Sequence, residues 1–222
     1  MLDFDGINGE GAYCFLTLSG DALFGTTREG ENSQGKIFSI PTDGGPIITL
    51  HRLNGINGAS AKSPLFLAGE VLFGMCPWGG TNNVGAIFSI HKDGLGFKNI
   101  MNCKPPIFPN GNPEGSLIFS ENILYGMSKN GGVNQKGNIF SIHNDGTGFK
   151  TLFEFNGANG LYPNDSLLLS GDILYGTTSQ GGTYGYGIIF SIPALGGIPT
   201  ALHNFNNTDG ASPKESFHLV QV

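Results

Sequence analysis

Apolar and polar positions along the chain recur in a fixed order about every fifty residues. Two anchors carry the recurrence. The first is Leu23-Phe24-Gly25, repeated as Leu72-Phe73-Gly74, Leu124-Tyr125-Gly126 and Leu174-Tyr175-Gly176. The second starts at Ile37, Ile87, Ile139 and Ile189 and reads Ile-Phe-Ser-Ile each time. Short runs of alternating apolar residues broken by turn residues are strand signals, and no segment has the spacing of an amphipathic helix.

Each repeat reads as four strands, A to D. Strand A covers 15–19, 64–68, 116–120 and 166–170, and strand B carries the first anchor. Two residues separate A from B: Gly20-Asp21, Gly69-Glu70, Glu121-Asn122 and Gly171-Asp172. That chemistry fits a tight hairpin turn with positive φ. Strand C carries the second anchor and ends at Asp43-Gly44, Asp93-Gly94 or Asp145-Gly146, with Leu195-Gly196 in the last copy. Strand D covers 47–53, 97–103, 149–155 and 198–205. The glycine of the first anchor predicts a bulge or a close backbone approach, expected where adjacent repeats pack.

Four antiparallel strands per repeat is the size of a propeller blade. The expected fold is therefore all-β, a β-propeller of four four-stranded antiparallel blades forming one domain over residues 1–222. The repeats fall near 10–60, 61–112, 113–162 and 163–212. Residues 1–9 align with a strand D and 213–222 with a strand A, so a partial strand is expected at each end. The preferred reading of these ends is a piece of a longer array; the other is a pair of strands that closes or patches the ring.

Gly accounts for 37 of 222 residues, against an average of about 7%. Because it is periodic and interleaved with Phe, Ile, Leu and Tyr, it marks ordered turns rather than low complexity. The net charge of −6 and the scattered Lys and Arg leave no basic stripe for a nucleic acid. No run approaches the ~18 apolar residues of a membrane span. The N-terminus lacks the basic and apolar regions of a signal peptide. Cys14, Cys76 and Cys103 do not recur with the repeat, so they read as free or buried thiols rather than a disulfide framework.

The A–B and C–D turns are short and nearly constant, whereas the B–C and D–A connections are long and variable. In an up-and-down blade the two long connections lie at one end, and variable loops on a rigid scaffold are where binding resides. These loops hold the only Trp, Trp78, with Tyr162, Tyr184 and Tyr186, and many amides, including Asn82 and Asn83. Exposed aromatics beside amides suit a sugar, which has apolar CH faces and many hydroxyls. These six residues are the candidate ligand-binding set, for a glycan or protein partner. The competing expectation is that the aromatics cover loop backbone and the amides serve turn geometry.

The links Asn54-Gly-Ile-Asn57-Gly and Asn156-Gly-Ala-Asn159-Gly resemble calcium sequences but carry amides where calcium takes carboxylates. They are expected to be turns, and neither metal nor cofactor is assigned. His51 and His203 are equivalent, as are His91 and His143, which reads as scaffold; His218 stands alone. No catalytic motif is present, so no catalytic residue is assigned. The alternative is a carbohydrate-active hydrolase or lyase centred at the channel mouth. It would draw on loop carboxylates such as Glu29, Glu31, Asp165 and Glu215.

The stretch Leu174-Tyr-Gly-Thr-Thr-Ser-Gln-Gly-Gly-Thr-Tyr-Gly-Tyr-Gly-Ile-Ile-Phe-Ser-Ile192, with Asp209-Gly-Ala-Ser-Pro213, resembles the GloVer-type tandem repeat of bacterial exported proteins. The resemblance covers essentially the whole chain and weakens in the second copy, at Met75-Cys76-Pro77 and at 104–109. It implies a propeller-like array in an exported or surface setting, and no defined activity or site residues. WD40 and kelch repeats match less well, because no Trp-Asp pair recurs.

Overall fold

The computed structural model describes residues 16–29, 34–105, 108, 113–163 and 166–213. Among them there is no helix, and sixteen strands form four separate four-stranded antiparallel sheets. Blade 1 consists of β1 (Thr17–Ser19), β2 (Ala22–Thr27), β3 (Lys36–Pro41) and β4 (Ile48–Arg52). Blade 2 consists of β5 (Phe66–Ala68), β6 (Val71–Cys76), β7 (Ala86–His91) and β8 (Lys98–Asn102). Blade 3 consists of β9 (Pro113–Ser120), β10 (Ile123–Ser128), β11 (Asn138–His143) and β12 (Lys150–Glu154). Blade 4 consists of β13 (Leu168–Ser170), β14 (Ile173–Thr178), β15 (Ile188–Pro193) and β16 (Thr200–Asn204). Each sheet is ordered as the chain runs, so the A–B–C–D reading of the repeat holds. The partial strands expected at 1–9 and 213–222, with Cys14, His218, Glu31, Asp165 and Glu215, lie outside the described residues apart from Pro213.

The chain divides into two compact units, 1–104 with blades 1 and 2, and 105–222 with blades 3 and 4. Each has its own core. In the first, Phe24, Ile37, Leu53, Leu65, Leu72, Phe88 and Ile90 are buried together. In the second, Met127, Ile139, Phe155, Leu167, Leu174, Phe190 and Ile192 play the same part. The second-anchor strands of blades 1 to 3 are buried on both faces over most of their length, which fits their near-continuous apolar runs, whereas in blade 4 Ile189 and Ser191 are only half-buried.

The first-anchor glycine is a close approach, but within its own blade rather than between blades. A methyl built on Gly176 would lie 2.6 Å from Cζ of Phe190 on the neighbouring strand C and 3.1 Å from Leu167 before strand A. Gly25, Gly74 and Gly126 meet the equivalent Phe and Leu of their own sheets. The Phe ring of strand C lies across the glycine, so one residue's missing side chain seats another's ring. Strand D carries an irregularity that the pattern did not reveal. In every blade the C–D register slips after the first residues of the anchor, between Ile37 and Phe38 in blade 1 and at equivalent places in the others. This leaves Leu50, Ile100, Leu152 and Leu202 as unpaired bulge residues in strand D.

Candidate loop-face site

Because successive strands are antiparallel, the B–C and D–A connections of a blade fall at the same end of its sheet. The D–A link is woven into the B–C loops on either side of it. Ala59 N–H donates to the Trp78 carbonyl at 2.9 Å, and Ser60 N–H donates to the Gln34 carbonyl at 2.8 Å. In the second unit Leu161 N–H donates to the Gln180 carbonyl at 2.8 Å, and Tyr162 N–H to the Lys136 carbonyl at 2.8 Å. The Gly-Gly pair after Trp78 and after Gln180 exists for this packing. Gly80 N–H reaches the Gly55 carbonyl at 2.8 Å and Gly182 N–H the Gly157 carbonyl at 3.0 Å, and a side chain on Gly79 or Gly181 would strike that same link.

The Asn-Gly-x-Asn links are reciprocal turns. Asn54 N–H donates to Asn57 Oδ1 at 2.8 Å while Asn57 N–H donates to Asn54 Oδ1 at 2.9 Å. Asn156 and Asn159 repeat the exchange, and Asn206 with Asp209 makes a third copy. The amide oxygens are thus consumed by backbone, as expected of a turn. The spare Asn57 Nδ2 donates to His51 Nε2 at 2.7 Å, and the His51 ring stacks on Phe97 of the next blade at 3.8 Å. Burial holds the His51 pKa below its ordinary value. In blade 4 the equivalent contact becomes His203 Nε2 to Asp209 Oδ2, 3.2 Å.

A cavity of about 420 Å³ opens on the loop face of the first unit. Arg28 from the B–C loop of blade 1, Ser60 and Lys62 from the D–A link, and Pro77 and Trp78 from the B–C loop of blade 2 line it. Trp78 is 47% exposed. Arg28 Nε lies 3.5 Å from Glu29 Oε1 in an exposed pair. The cavity forms where the link passes between two loops, and Ser60 in its lining is held at φ 54°. Arg28, Ser60 and Lys62 did not stand out in the sequence; only the weave of the link brings them to Trp78.

The six candidate residues fall into both units. Trp78 lines the cavity. Asn82 is exposed at the tip of the same loop, where its Nδ2 donates to the Cys103 carbonyl at 2.9 Å, much as Asn134 Nδ2 braces the Phe155 carbonyl in blade 3. Asn83 takes φ 55°, matched by Gln135 at φ 54°, a turn position. Tyr162 takes φ 56°, the position of Ser60, and its carbonyl accepts from Ser179 Oγ at 2.9 Å. Tyr184 and Tyr186 are 58% and 39% exposed on the blade 4 B–C loop, and the Tyr186 carbonyl accepts from Ser212 N–H at 2.9 Å.

Cys76 and Cys103 are free and buried. Burial pushes both thiols up, Cys103 to about 12, and the neighbouring Cys103 pushes Cys76 further. Among the described residues no group of three or more His, Cys, Asp or Glu is placed to hold a metal.

Sheets of this order and repeat length define a β-propeller. The fold agrees with a chain of the nidogen/laminin complex at TM-score 0.58 and 18% identity, over 83% of this chain and 61% of that one. It agrees with the putative TolB of Agrobacterium tumefaciens at TM-score 0.51 and 14% identity, over 83% and 61%. For TolB of Acinetobacter baumannii the TM-score is 0.53 at 13% identity, over 82% and 40%. The chain thus spans about 61% or less of these propeller-like proteins. No curated protein matches the sequence. The Gloeobacter/Verrucomicrobia repeat model matches residues 108–221, just over half of the chain. The protein belongs to that family, whose name points to bacteria. No helix among the described residues is long and apolar enough to cross a membrane.

Proposed function

We propose that the protein is a repeat-built binding module that takes a glycan or protein ligand on the face carrying its B–C and D–A loops. The observation that carries the reading is the half-exposed Trp78 at the wall of the cavity of about 420 Å³. Small-ligand sites are concave, with an apolar surface and a few placed polar groups. Trp78 and Pro77 supply the apolar wall, and Arg28, Lys62 and Ser60 supply donors around it. Asn82 and Asn83 lie further along the same B–C loop as Trp78, outside the residues that line the cavity, and offer exposed amides there. In the second unit Tyr162, Tyr184 and Tyr186 offer aromatic surface on equivalent loops. The reading treats residues 1–222 as one propeller domain whose blades all present the same pair of loops.

These lining groups suit holding a sugar more than hydrolysing one, which takes two placed carboxylates. A protein ligand is the second occupant, since one similar fold comes from a complex of two proteins, nidogen with laminin. The resemblance to repeats of exported bacterial proteins supports a surface or exported setting, which cell fractionation checks. Because Trp78 is the single Trp, its fluorescence reports the cavity directly. Titration with hits from a glycan array should shift or quench that emission, and Trp78→Ala should weaken binding at least about tenfold. Binding untouched by Trp78→Ala and by Tyr186→Ala would refute this choice of site.

A further inference from the structure

The cavity beside Trp78 carries a charge that runs against the rest of the chain. The protein has 11 Lys and Arg against 17 Asp and Glu. Two of those cations, Arg28 and Lys62, line this one cavity, and among the described residues no carboxylate lines it with them. Glu29 meets Arg28 Nε from beside the cavity, at 3.5 Å and in solvent. That is well beyond the ~2.7–2.9 Å of a tight charge-assisted bond, so the guanidinium fork is not locked to Glu29.

The segments that carry these groups are held by the fold. Thr27 Oγ1 donates to the Glu29 carbonyl at 2.8 Å and accepts from Lys36 N–H at 3.2 Å, which brackets Arg28. The link is tied to the blade 2 loop through Ala59 and to the blade 1 loop through Ser60, just before Lys62. Trp78 follows Pro77, whose ring fixes its own φ. Groups positioned before a ligand arrives lose less freedom when it binds.

The combination is not part of the repeat. The equivalent positions in the second unit are Lys129, Tyr162, Asn164, Ser179 and Gln180. The indole and one of the two cations are gone, and the remaining Lys129 Nζ lies 3.9 Å from Glu114 Oε2. A blade therefore packs without an aromatic and two cations at these places, and what the scaffold does not require is open to serve a ligand.

We propose that this cavity binds an acidic glycan, with the apolar CH face of a sugar ring on Trp78 and the ring's anionic substituent between Arg28 and Lys62. The inference rests on the loop-face reading of the cavity and narrows its ligand. A guanidinium takes an oxyanion through two parallel hydrogen bonds, and an ammonium adds a point charge. An anionic peptide side chain would satisfy the cations but bring no sugar face to the indole. The volume of about 420 Å³ lies within the ~300–1,000 Å³ of small-ligand pockets, so it takes a short stretch of sugar rather than a whole polymer.

Trp78 emission and calorimetry on the whole chain test this with paired probes. Hexuronate oligomers are compared with their methyl esters, sulfated oligosaccharides with their desulfated forms, and polyglutamate serves as a charge-only control. An acidic oligosaccharide should shift the emission and bind at least about tenfold more tightly than its neutral counterpart and than polyglutamate; the pair that responds tells carboxylate from sulfate. Arg28→Gln and Lys62→Gln should each weaken that binding about tenfold. Raising sodium chloride from about 0.05 to about 0.5 M should weaken it too. Both side chains are exposed, so melting curves of the variants should match the wild type. Neutral sugars that bind as well as acidic ones, lose affinity in Trp78→Ala and ignore both Gln substitutions would overturn this inference and leave the loop-face site standing. Polyglutamate binding as tightly as any sugar would also overturn it. Acidic-glycan binding that survives Trp78→Ala, or no response to any probe, would overturn the inference and the site together.

Discussion

Gly176→Ala isolates the packing rule that repeats through the fold. Gly176 lacks positive φ, so alanine suits its backbone and the cost is steric. The new methyl would lie 2.6 Å from Phe190 Cζ, 3.0 Å from Phe190 Cε1 and 3.1 Å from Leu167 Cδ2. Phe190 is fully buried and packs edge-on against Phe155 with ring centroids 5.5 Å apart, while Leu167 is 4% exposed. Neither side chain has free space to enter. Overpacking of this kind costs about 1–3 kcal/mol, here toward the upper end because two immobile groups are struck. The smaller conformational freedom of alanine in the unfolded chain returns about 0.4–1 kcal/mol. The net loss is about 2 kcal/mol, a fall in Tm of about 4–8 °C for a chain of this length. Urea unfolding of Gly176→Ala, Phe190→Leu and the double variant reads the coupling directly. The double variant should lose less than the two single losses combined, by about 1 kcal/mol, because the smaller side chain vacates the space that the methyl needs. A neutral Gly176→Ala, or two losses that simply add, would refute the argument.

Two further outcomes are expected. His51 has its pKa lowered from 6.5 by burial, so below 6.5 the unfolded chain binds more protons than the folded one. Stability is full above pH 6.5 and is lost as pH falls through the depressed folded value; melting at pH 5 and 7.5 should show the drop, and His51→Gln should lessen it. With Cys103 pushed up to about 12 and Cys76 also raised, neither thiol is ionised at pH 8 in the folded protein, so alkylation mapped by peptide mass should be slow until denaturant is added. Rapid native labelling of either cysteine would contradict their burial.

The repeat, the strands and the two-residue turns were all legible in the sequence, because each rests on local pattern and turn chemistry. The reciprocal Asn links were legible for the same reason, as both partners of each hydrogen bond lie three residues apart. The role of the anchor glycine was only half legible: its recurrence announced a close approach, but the ring that fills the space comes from the next strand of the same blade. The site was less legible still. Trp78 stood out by being the single Trp, whereas Arg28, Ser60 and Lys62 are ordinary loop residues until the link carries them to it.

By itself, then, the sequence determined the elements of this protein, since hydrophobic period and turn residues act over a few positions. It determined their order within a blade as well, since short turns leave an antiparallel neighbour as the nearest partner. Tertiary structure decided where long loops meet. Arg28, Lys62 and Trp78 lie in separate stretches of the chain, yet all three line one cavity. That meeting depends on how the loops of one blade pack on those of the next, and no pattern within a repeat encodes its neighbour.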